Sequence, residues 1–133
     1  MKEEYVTYFQ AVKLKELGFK CVVYTHYPQG DNNIRYTEDA INWNNSVALI
    51  SAPRLDQAQK WLRDKGIHVS ANPYCKVYNH NICDAEDCAW SSELYSVPFG
   101  RWLNVSKGEF DTYELALSAG IDAALELLTL NTK

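Results

Sequence analysis

Apolar positions along the chain change their period several times, and each change marks an element. Thr7, with Gln10 three residues on, has the form of a capping box, and Val6 and Ala11 are placed as a hydrophobic staple. The spacing predicts a helix from about Tyr8 to Leu17 with Phe9, Val12 and Leu17 on its apolar side. Gly18 stands at the C′ position, where a positive φ meets no Cβ clash, and Phe19 can fold back on the last turn. Cys21 to Tyr27 is β-branched and apolar on both faces, which predicts a strand interior to a sheet. Pro28 to Asn33 reads as a turn, and from there to Asn45 polarity is high. A short strand is expected over Ile34 to Thr37, loop at Asn42, Asn44 and Asn45, and a further short strand over Val47 to Ile50.

Ser51-Ala52-Pro53 opens a second helix with proline in its first turn. Leu55, Ala58, Trp61 and Leu62 share one face, Arg54, Gln57, Lys60 and Asp64 the other, and Gly66 ends it. Strict alternation follows: Ile67, Val69, Ala71, Cys75 and Val77 on one side, His68, Ser70, Asn72, Tyr74 and Lys76 on the other. That period of two predicts a half-buried strand. A loop is expected over Asn79 to Ser92, then a hairpin of Leu94 to Val97 and Arg101 to Val105 turning at Pro98-Phe99-Gly100. The last helix has a second capping box in Asp111 and Glu114 and an apolar stripe of Tyr113, Leu117, Ile121, Ala124, Leu125 and Leu128. Gly120 interrupts it, as a glycine does where a helix packs closely on a neighbour.

The expected fold is therefore α+β, one domain over residues 1–133, in the order α-β-(β)-α-β-β-β-α. A small, mainly antiparallel sheet of about four or five strands would pack against three helices. The two helix–Gly–strand units resemble each other: Gln10-Ala11-Val12-Lys13 to Gly18-Phe19, and Gln57-Ala58-Gln59-Lys60 to Gly66-Ile67 with a one-residue slip. Duplication and shared capping rules both account for that match.

Three segments, Thr7 to Phe19, Ser51 to Val69 and Asp111 to Leu128, resemble a family of small uncharacterised proteins carried by phages and prophages of gut anaerobes. They cover the three helices. Each has a packing explanation, so the resemblance implies an origin and no mechanism.

At 133 residues with 47% hydrophobic positions, the chain can bury a core without disulfides. Its net charge of −4, with lysine and arginine scattered, disfavours binding that rests on phosphate neutralisation. Met1 to Tyr5 lacks the apolar stretch of an export signal, and no apolar run reaches membrane-spanning length. The expected location is the cytoplasm of a bacterial host cell, where four cysteines are reduced thiols or metal ligands.

The best chemical candidate is Cys75-x4-His80-x2-Cys83-x4-Cys88, four soft ligands within fourteen residues that match the donor set of a structural Cys3His zinc site. Against it stand the unusual spacing, the absence of a glycine to ease the turns, and Cys75 on a strand. The alternative is a polar loop. Cys21 with His26 or His68 supplies a thiol and a base, but nothing in the sequence makes them converge. Asp84, Glu86 and Asp87 read as a solvated acidic loop, and phosphate-binding glycine motifs are absent. From Pro53 onward the order α-β-β-β-α matches that of a double-stranded-RNA-binding domain. The last helix, however, opens on the acidic Asp111-Thr112-Tyr113-Glu114 where basic residues are wanted.

Nine tyrosines and four tryptophans remain, and Tyr24, Tyr27, Tyr74, Tyr78, Tyr95, Trp90 and Trp102 lie on or beside predicted strands. Such rings favour a binding surface. The expectation is a non-catalytic module that binds another protein or a second copy of itself. A small zinc-stabilised domain contacting nucleic acid is the alternative, and a small enzyme the next.

Overall fold

A computed structural model describes residues 4–74, 89–98 and 100–131. The fold is α+β: three helices and two antiparallel sheets of three strands each among the described residues. The chain forms two compact units, residues 1–61 with 125–133 and residues 62–124. Two sheets stand where one of four or five strands was expected. The second sheet pairs strands that are consecutive in sequence, whereas in the first the leading strand pairs with both strands that follow it.

In the first unit, α1 (Tyr8–Glu16) is fixed at both ends by side-chain and backbone chemistry written into the sequence. Thr7 Oγ1 accepts from the Gln10 N–H at 3.2 Å, and Gln10 Oε1 accepts from the Thr7 N–H at 2.8 Å. The far end is a Schellman motif, with the Phe19 N–H donating to Leu14 O at 2.9 Å and the Gly18 N–H to Lys15 O at 3.1 Å. Gly18 has φ 95°, a left-handed conformation that suits glycine. The buried face is Gln10, Ala11 and Leu14, whereas Phe9 is 78% exposed and Val12 only half-buried. Gln10 can take a buried place on this face because its amide oxygen is already satisfied by the Thr7 N–H.

Strand β1 (Val23–Pro28) is central, antiparallel to β2 (Arg35–Ile41) on one side and to β3 (Leu49–Ser51) on the other. Its interior position agrees with its apolar sequence. β2 is an edge strand longer than the sequence suggests, because its polar residues face solvent and hide the strand period. Between β2 and β3, Trp43–Asn45 forms a 3₁₀ turn rather than open loop. Polar side chains pin it: Asn44 Nδ2 donates to Phe19 O at 2.9 Å, Asn44 Oδ1 accepts from the Ser51 N–H at 2.8 Å, and Trp43 Nε1 donates to Val23 O at 2.8 Å. Lys15 Nζ reaches Ser46 O at 2.7 Å and Leu49 O at 2.9 Å.

The second helix, α2 (Leu55–Asp64), starts two residues beyond Pro53. Residues before α1 pair with its start, the Leu55 N–H donating to Glu4 O and the Val6 N–H to Pro53 O, both at 3.0 Å. These bonds occupy a helix-start donor that has no partner within its own helix.

The second unit is a meander in which β5 (Ala89–Ser96) lies between β4 (Ile67–Tyr74) and β6 (Arg101–Phe110). Val97 to Gly100 makes the predicted hairpin turn, closed by the Gly100 N–H on Val97 O at 3.2 Å. Strand begins at Ala89, inside the stretch expected to be loop, since polar Ser92 and Ser96 hold inward positions and give no apolar period. The final helix, α3 (Tyr113–Asn131), is capped by Thr112, whose Oγ1 accepts from the Leu115 N–H at 3.1 Å; the predicted Asp111–Glu114 box is displaced by one residue. Gly120 behaves as its sequence position suggests. A Cβ there would lie 2.5 Å from both Ser92 Oγ and Val69 Cγ1, so this part of the helix packs directly on β4 and β5.

The two sheets differ in strand order, with the first strand central in one and the middle strand central in the other. Among the described residues, no helix is long and apolar enough to cross a membrane.

Candidate interaction surface

Alternation along β4 puts Ile67 and Val69 inside and His68, Ser70 and Asn72 outside. Antiparallel register then fixes their neighbours: His68 stands opposite Tyr95, and Tyr95 opposite Trp102. The three rings form a cross-strand ladder on the outer face of the sheet, with centroids 6.4 Å apart from His68 to Tyr95 and 4.9 Å from Tyr95 to Trp102. Trp102 is 64% exposed. In the adjacent row of the same face Ser70 stands opposite Glu93. In the next row Ser91 Oγ donates to Asn72 O at 3.3 Å.

A second aromatic feature lies in the first unit. Tyr5, Tyr24, Thr25, Arg54 and Gln57 line an open groove of about 390 Å³, and Tyr36 stands edge-on to Tyr5 at 5.7 Å. Its cation is already engaged, since Arg54 Nε pairs with Asp56 at 3.1 Å. The Gln57 carboxamide oxygen is likewise engaged, accepting from the Arg54 N–H at 3.0 Å.

The remaining aromatic candidates divide by burial. Tyr27 is buried, with its hydroxyl donating to Val6 O at 2.7 Å, and burial, with Tyr36 nearby, raises its phenol above the ordinary value. Trp90 is half-buried edge-on to Tyr113 at 5.5 Å, and Tyr24 is exposed. Tyr78 and the side chain of Tyr74 lie outside the described residues. So do all four zinc candidates, Cys75, His80, Cys83 and Cys88, and the acidic residues Asp84, Glu86 and Asp87.

Cys21 is exposed, whereas His26 is buried on β1 against the Trp43 indole, centroid to centroid 4.3 Å. His26 Nδ1 has no hydrogen-bond partner among the described residues. Desolvation, with Arg35 adding repulsion, lowers the imidazole below its ordinary value. The other candidate histidine, His68, is a member of the aromatic ladder. The sequence offers it as a possible base, and its place on the polar side of an alternating strand is the signal for a surface role.

Comparison with known proteins finds no matching family model, no similar curated protein and no similar solved structure.

Proposed function

We propose that the protein is a non-catalytic binding module whose partner, another protein, docks on the outer face of the β4–β5–β6 sheet. Trp102 carries the reading: a large ring, 64% exposed, in register with Tyr95 on a face whose opposite side is occupied by α3. Exposed aromatic groups on a rigid sheet supply contact area at low entropic cost, and tryptophan and tyrosine dominate interface hot spots. An accessory role in a phage or prophage is the setting that the three helical segments suggest. The test compares wild-type protein with Trp102→Ala in partner recovery from cells and in sedimentation. The variant is expected to keep its thermal unfolding profile and to lose the partner, or to lose self-association if the partner is a second copy. Equal association of both proteins would overturn the reading.

A further inference from the structure

We infer that the ladder face takes a cationic segment of its partner, an exposed stretch bearing arginine or lysine. The inference rests on the binding-module reading and adds the chemistry of what binds. The face carries His68, Ser70 and Asn72 from β4, Glu93 and Tyr95 from β5, and Trp102 from β6. Among the described side chains of that face, the only one of fixed charge is the carboxylate of Glu93, one row from the ladder. Tyr95 and Trp102 add ring faces whose quadrupoles are negative toward an approaching cation. Same-face rows lie roughly 7 Å apart, so one guanidinium or ammonium group can sit over a ring while its hydrogens reach toward the carboxylate.

The charge of the whole chain, −4, acts in the same sense and would steer a basic partner toward the surface. It acts against the competing occupant. Single-stranded nucleic acid also stacks on sheet-borne aromatic rings, but its phosphates need a positive track, and Glu93 lies where that track would run. The groove around Arg54 is a weaker candidate, because its cation is already paired with Asp56.

The experiment titrates the full chain with two short capped peptides of glycine and serine, one carrying several arginines and the other glutamines at the same positions. Tryptophan fluorescence and the Trp102 indole N–H resonance report binding. The arginine peptide is expected to bind at least about fivefold tighter than the glutamine peptide. That preference should shrink as salt is raised, fall several-fold in Glu93→Gln and vanish in Trp102→Ala. Equal binding of the two peptides, or no binding of either, overturns the cationic reading. The docking face still stands in that case if Trp102→Ala loses the cellular partner. Tighter binding of oligothymidylate, with displacement of the arginine peptide, overturns the inference in favour of nucleic acid.

Discussion

Gly120 and His26 illustrate how single positions carry constraints of opposite kinds. By helix propensity alone, Gly120→Ala would stabilise α3 by about 1 kcal/mol. The packing reverses that sign, since the new methyl would lie 2.5 Å from Val69 Cγ1 and Ser92 Oγ, and overpacking of this kind costs about 1–3 kcal/mol. Urea unfolding of Gly120→Ala is expected to show a net loss of stability, and adding Val69→Ala to cost less than the sum of the separate effects. His26 is held by burial in the neutral form. Its folded-state value lies below the ordinary 6.5, so its stabilising contribution is full above that pH and is lost as pH falls from there toward the folded-state value. Between about pH 8 and about pH 5, His26→Phe should therefore lose less stability than the wild type, with Trp43 emission as a second reporter. A result in which both proteins lose stability equally would assign the pH dependence to other groups.

At the scale of elements, termini were better written in the sequence than faces. Thr7–Gln10 and Gly18–Phe19 make the bonds their identities suggest, because capping involves residues three or four apart and needs no distant partner. Thr7→Ala is expected to cost about 1 kcal/mol in thermal or urea unfolding. The start of α3 was misread by one residue, since Asp111 and Thr112 are both competent caps and only backbone geometry selects Thr112. The asparagine-rich turn gave no sign of its work. Asn44 joins the end of α1 to β3 through Phe19 O and the Ser51 N–H, yet on paper it is one of three loop-forming asparagines. Asn44→Ala should lower stability by about 1–3 kcal/mol, as expected when buried backbone groups lose their partners. An effect near zero would mean that water replaces the amide.

For the whole molecule, charge and fold class were legible and sheet organisation was not. A pI of about 5.3 places the solubility minimum near that pH, and turbidity measured across the acidic range checks it. Helices with glycine stops and strands with a clean period of two were found nearly where expected. The second half of β2 and the first half of β5 were not, because an exposed edge strand and a strand lined by serines lack the apolar pattern by which strands are found.

The sequence by itself determined the α+β class, both ends of α1, the central place of β1, the alternation of β4 and the close packing at Gly120. All of these depend on neighbours a few residues away or on which residues prefer to leave water. Tertiary structure decided the division into two sheets, the direction of α1's buried face and the meeting of His68, Tyr95 and Trp102. That ladder depends on register between three strands, and register is set by pairing across a sheet, where residues far apart in sequence become neighbours.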